Sequence, residues 1–166
     1  LYDVGFTWFH SELYYRTKRD ESWGIQIEDE FLPFPDTLST EKTQLLGAER
    51  NDAHLAYIAT TDEGLVMVSN DRIGPEYERL TSPIITKAGE HMYYFASHRL
   101  RGTTQLLDDG RVLATYPELD FYNVVADPQR RALLFRVRTE NGWQERCWLV
   151  EEERACPPKT ETIAAD

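Results

Sequence analysis

SPIITKAGEHMYYFASHRLRGTTQLLDDG, residues 82–110, reads as three short strands separated by two turns. Residues 84–87 form the first strand. An Ala88-Gly89-Glu90 turn follows, and the aromatic run His91-Met92-Tyr93-Tyr94-Phe95-Ala96 forms the second. A polar loop over residues 97–101 leads through Gly102 into a third strand at 103–107, and Asp108-Asp109-Gly110 turns the chain again. β-Branched and aromatic side chains pack on a pleated surface, and Gly and Asp accept the backbone angles of tight turns, so this alternation is a strand-and-hairpin signal.

The same pattern recurs along the chain. Leu13-Tyr14-Tyr15, Leu55-Ala56-Tyr57, Met92-Tyr93-Tyr94 and Leu133-Leu134-Phe135 align as central strands. Each is followed by a polar loop and a glycine, at Gly24, Gly64, Gly102 and Gly142, spaced by 40, 38 and 40 residues. A further strand follows each glycine, at 25–27, 65–69, 103–107 and 143–150. Another precedes each central strand, at 4–9, 44–48, 84–87 and 122–126. There is room for an outer strand at 31–34, 76–80 and 112–116. The last repeat lacks one, and residues 1–3 are expected to supply part of it. A period near 40 with three or four strands per unit is the pattern of a β-propeller blade, and no segment sustains the 3.6-residue periodicity of a helical repeat. The expected fold is therefore all-β: one four-bladed β-propeller-like domain over residues 1–155, with repeats 1–35, 36–80, 81–118 and 119–155 and a tail at 156–166. A β-sandwich or an open barrel is the competing arrangement.

Tyr77-Glu78-Arg79-Leu80-Thr81-Ser82-Pro83, with Gly89 and Tyr94-Phe95-Ala96-Ser97 beyond it, resembles the blade repeat of TolB-type propellers. That repeat runs from an Arg-Leu-Thr outer-strand end through a proline and a turn to an aromatic strand ending in serine. The third repeat matches it well and the fourth in part, through Asp127-Pro128; the resemblance implies a fold rather than an activity.

Composition narrows the partners. Eighteen Lys and Arg against 29 Asp and Glu give a net charge of −11, which disfavours nucleic acid, whose phosphates require clustered cations. It suits a basic protein partner, or serves solubility alone. No apolar run approaches the roughly 20 residues of a bilayer span. The chain begins at Leu1, which is read as removal of a signal peptide or as a truncation. Cys147 in a strand-like run and Cys156 in a Pro-rich tail are expected to form a disulfide that pins the tail, placing the protein in an oxidising compartment, periplasmic or secreted; two free thiols in a cytosolic protein is the alternative.

Signals for catalysis are thin. No Gly-x-Ser-x-Gly elbow, phosphate-cradling glycine loop or His-Glu-x-x-His occurs. No cofactor and no metal is expected, since Glu28-Asp29-Glu30, Asp108-Asp109 and Glu151-Glu152-Glu153 lack the alternating acid spacing of a calcium loop and read as structural charges. His10, His54 and His91 read as structural, and the four tryptophans as core aromatics. The loop Ser97-His98-Arg99-Leu100-Arg101 stands apart, longer and more basic than its counterparts at 17–22, 60–63 and 139–141. In a propeller such loops share one face, so Ser97, His98, Arg99 and Arg101 are candidate partner-binding residues beside Asp62, Glu63 and Glu140; plain solvated loops are the bland alternative.

A small, acidic, disulfide-bonded propeller without catalytic motifs is similar in architecture, size and charge to periplasmic immunity proteins that neutralise cell-wall-degrading effectors of type VI secretion. That resemblance implies a non-catalytic inhibitor forming a 1:1 complex with a basic wall hydrolase, a loop bearing Ser97 and His98 entering its cleft. The alternatives are a glycan-binding or glycan-cleaving propeller, which needs converging aromatics or paired carboxylates, and an intracellular interaction scaffold.

Overall fold

In the computed structural model the described residues are 4–6 (backbone only), 12–52, 54–86, 91–98, 102–127, 129 and 131–157. They form four antiparallel sheets, each a meander in chain order, and none closes into a barrel. The first contains β1 (Val4–Phe6), β2 (Leu13–Arg19), β3 (Ser22–Ile27) and β4 (Glu30–Pro33). The second contains β5 (Leu45–Arg50), β6 (Leu55–Thr60), β7 (Leu65–Ser69) and β8 (Arg72–Tyr77). In the third, β9 (Arg79–Leu80) and β10 (Ile84–Ile85) both pair with β11 (Met92–Ser97), which is followed by β12 (Thr104–Asp108) and β13 (Arg111–Tyr116). The fourth contains β14 (Val125–Ala126), β15 (Ala132–Thr139), β16 (Gly142–Leu149) and β17 (Arg154–Ala155).

The sheets pack face to face in sequence. Tyr14, Ile25, Ile27 and Phe34 of the first meet Leu45, Tyr57 and Val66 of the second. Ala56, Ile58, Met67 and Tyr77 of the second meet Met92, Tyr94 and Leu107 of the third. Tyr93, Phe95 and Leu106 of the third meet Leu133, Phe135, Val137 and Trp148 of the fourth. Neighbouring residues of one strand thus face opposite sheets, as the two-residue period of a strand requires: Ala56 looks one way and Tyr57 the other. Each seam carries an aromatic pair. Phe34 meets Tyr57 at 5.4 Å, Tyr77 meets Tyr94 edge-on at 6.5 Å, and Tyr116 meets Phe135 at 5.1 Å. Such pairs contribute about 0.5–1.5 kcal/mol beyond the area they bury.

Several expectations are corrected. The fourth sheet does have an outer strand, β17, whose Ala155 and Arg154 pair with Trp148 and Leu149. The assignment of residues 1–3 to that role falls outside the described residues. Arg79 and Leu80, expected in the outer strand of the second repeat, pair instead with Ser97 and Ala96. There they begin the first strand of the third sheet, which Thr81 carries onward through hydrogen bonds of its Oγ1 and N–H with Phe95. The expected loop at 17–22 shrinks to Asp20 and Glu21, both at positive φ (48° and 69°), the tight two-residue hairpin turn whose twist suits the flanking strands. The spaced glycines serve two different purposes. A Cβ on Gly64 would stand 2.6 Å from the Tyr77 carbonyl oxygen, whereas Gly142 holds φ +99° at a turn.

Candidate partner-binding end

In a four-strand meander the turns joining strands one to two and three to four lie at one end, and the turn joining strands two to three lies at the other. Ion pairs show that the four sheets are stacked with the same ends together. Arg50 at the end of β5 reaches Glu30 (2.7 Å) and Glu12 (3.4 Å) of the first sheet. Arg72, just past the β7–β8 turn, reaches Asp109 in the β12–β13 turn at 2.6 Å. Arg111, just past that turn, reaches Glu153 in the β16–β17 turn at 2.6 Å. Each seam is thereby crossed by an arginine–carboxylate contact at the same end. The three acidic runs read from the sequence as structural each supply a carboxylate to this belt.

The third-to-fourth seam carries the densest polar cluster. Asp108, almost buried, accepts hydrogen bonds at Oδ2 from Arg111 (3.4 Å) and contacts His91 Nδ1 (2.8 Å), while its Oδ1 accepts the Met92 N–H. His91, Asp108 and Glu153 are close enough to share an ion, but the Arg111 guanidinium already bridges the two carboxylates. Arg111 holds the Glu153 carboxyl below its ordinary value, and Glu153 and Asp108 push the Arg111 value up. The Tyr93 hydroxyl donates to the Val150 carbonyl across the seam at 3.2 Å. Its pKa is pushed up to about 12, by burial first and then by the charges of Asp108 and Glu153. In this cluster one guanidinium offsets part of the charge of two carboxylates, and His91 contacts Asp108 beside it.

The opposite end carries the second-to-third-strand tips: Asp20-Glu21, Asp62-Glu63, His98 and Gly102 of the third sheet, and Glu140-Asn141. Asp62, Glu63 and Glu140 are exposed there, and among the described residues none of the three has an ion-pair partner. Among the described residues Glu21 pairs only with Lys18 of its own hairpin, which lowers its carboxyl value. Arginines near this end lie over rings: Arg16 over Trp23 at 4.1 Å, Arg79 over Phe121 at 4.4 Å, and Arg138 over Trp143 at 5.6 Å. Such stacking seats each cation on a ring face without removing its charge. Exposed carboxylates stand at both ends: Asp62, Glu63 and Glu140 at the tips, and Glu28, Asp29, Asp71 and Glu151 beside the arginine-paired carboxylates of the belt.

The structure places the other candidates as follows. Ser97, expected at a loop tip, is the half-buried last residue of β11, paired on one side with Thr104 and on the other with Arg79, its carbonyl accepting the Glu78 N–H at 2.9 Å. His98 is half-buried, its ring 4.7 Å from Tyr77. Arg99 and Arg101 lie outside the described residues. Cys147 and Cys156 form a disulfide, their Cα atoms 5.2 Å apart. Among the described residues no helix is long and apolar enough to cross a membrane. Of the four tryptophans expected in the core, Trp148 is buried, Trp23 is half-buried beneath Arg16, Trp143 is exposed beneath Arg138, and Trp8 is outside the described residues. Asp20 and Glu21, and the belt arginines Arg50, Arg72 and Arg111, were missed by sequence reasoning. Consecutive acids before a repeat glycine could have revealed the first pair, but no local signal marks the others. Compared with models of known protein families and with curated protein sequences, the chain matches none.

Proposed function

We propose that this chain is a non-catalytic, periplasmic or secreted binding protein whose acidic tip end docks onto a basic cell-wall-degrading enzyme and occludes its active site. The observation that carries the reading is the set of exposed carboxylates at three of the four tips, Asp20-Glu21, Asp62-Glu63 and Glu140, with Asp62, Glu63 and Glu140 outside any ion pair among the described residues. A wall hydrolase must approach an anionic polymer and so presents cations around its cleft, and a complementary acidic surface steers encounter with it and fixes orientation. The four stacked meanders are read here as four blades of a small propeller. Face-to-face packing in chain order supports this, as does the placing of the first strand β5 against both β1 and β10, the first strands of its neighbouring sheets. The disulfide is compatible with an oxidising compartment.

Ser97 sits within a strand, so of the two described residues expected to insert, His98, its ring 4.7 Å from Tyr77, is the one retained. Asp62, Glu63 and Glu140 flank it and supply the long-range attraction. The test is titration of the purified chain against a cationic lysozyme and other basic wall hydrolases, with pull-down from a cell-envelope fraction identifying the preferred enzyme. A 1:1 complex is expected that inhibits hydrolysis and weakens steeply with salt. Asp62→Lys with Glu63→Lys is expected to slow association by about tenfold or more while leaving the fold intact. Binding indifferent to salt and to these reversals, or glycan binding without any enzyme partner, overturns the reading.

A further inference from the structure

We infer that the Cys147–Cys156 disulfide is a redox-sensitive latch that holds the turn between β16 and β17 against the third sheet. β17 has only two residues in register with β16, at Ala155 and Arg154. Such a short strand cannot hold its place by backbone pairing alone. The chain beyond it is fixed by the disulfide and by the Cys156 N–H donating to the Cys147 carbonyl at 2.9 Å. Between the two cysteines lies the turn that makes polar contacts across the third-to-fourth seam. Glu153 meets Arg111, and the Val150 carbonyl accepts the Tyr93 hydroxyl. The Val150 side chain is buried in the same seam, and its N–H donates to the Arg131 carbonyl. Both cysteines are half-buried, within reach of a small reductant.

Reduction proceeds by attack of a dithiol's thiolate on one sulfur of the pair, releasing the other as a thiolate. The second thiol of the reagent then resolves the mixed disulfide. Two electrons pass to the cysteines, which take up two protons, and the reagent leaves oxidised. Loss of the loop constraint frees β17, and the turn leaves Arg111 and Tyr93. The fourth sheet then loosens from the third, while the first two seams, whose buried clusters contain no residue of the latch, keep their packing.

The native protein is treated with dithiothreitol, and hydrogen exchange is followed peptide by peptide. Exchange is expected to rise by about one to two orders of magnitude over residues 147–157 and to spread into β15, with the first and second sheets unchanged. Arg111→Gln in the oxidised protein should loosen β15 while leaving β17 protected, and it should add little once the disulfide is reduced. The Cys147→Ser, Cys156→Ser pair should reproduce the reduced pattern without reagent. If it does not fold, the reduced native chain is the readout. Exchange confined to residues 154–157, additive effects of Arg111→Gln and reduction, or uniform unfolding of all four sheets would each overturn the proposal.

Discussion

Tyr93 shows how one side chain ties a seam together. Its ring is fully buried, its hydroxyl spans to the fourth sheet, and two carboxylates stand near it. The unfolded chain ionises the phenol near pH 10, whereas the folded chain holds the proton to about pH 12. Because the folded value is raised, the contribution is complete below pH 10 and is lost as pH climbs from 10 to 12. Alkaline unfolding followed by tryptophan emission should therefore begin in that window, with phenolate absorbance rising alongside it. Tyr93→Phe is expected to move that limb to higher pH and, at neutral pH, to cost about 0.5–1.5 kcal/mol for the lost hydrogen bond. An unchanged alkaline limb in the variant would show that Tyr93 does not govern it. Burial pushes Tyr57 and Tyr94 higher still, so their ionisation follows rather than initiates the transition.

At the scale of elements, the hairpins explain both what the sequence disclosed and what it concealed. Asn70 and Asp71 hold φ 45° and 65° between β7 and β8. Asn tolerates this region, and its Oδ1 accepts the Leu55 N–H at 3.0 Å, but Asp71 pays the steric cost of a Cβ there. Asp71→Gly produces the favoured Asn-Gly turn and should raise stability by about 0.5–1 kcal/mol, or roughly 2–4 °C in thermal unfolding. A fall in melting temperature would refute this account of the turn. The strands flanking such turns were legible because branched and aromatic residues alternate between two buried faces. Arg154 and Ala155 were missed as a strand because their extended state is imposed by a disulfide and not by their own preference. Arg79 and Leu80 look like the end of one strand and behave as the start of the next, since only the pairing with β11 distinguishes the two. Ser97 has loop chemistry but strand partners on both sides. The tip acids Asp62, Glu63 and Glu140 were legible from turn composition. The belt was not, because Arg72 and Asp109, 37 residues apart, meet only after the sheets stack.

For the whole molecule, sequential stacking sets a hierarchy of stability. The central strands of the second and third sheets are buried on both faces: Ala56, Tyr57, Ile58 and Ala59 in β6, and Tyr93, Tyr94, Phe95 and Ala96 in β11. In the fourth sheet one face of β15 is buried through Leu133, Phe135 and Val137, while Leu134 on the other remains 44% exposed. The first sheet repeats this asymmetry, with Tyr14 buried against the second sheet and Leu13 42% exposed. The seam aromatics follow the same order: Tyr57, Tyr94 and Phe135 each receive a ring from the end of the preceding sheet. Apolar burial at about 25 cal/mol per Å² makes a strand covered on both faces far harder to open than one covered on a single face. Hydrogen exchange of the oxidised protein should consequently be slowest in β6, β7, β11 and β12 and faster in β2 and β15, with the slow set approaching the global unfolding free energy. Equal protection of β15 and β11 would mean that the outer face of the fourth sheet is covered in solution, and a concentration series in the same experiment would distinguish self-association from closure within one chain.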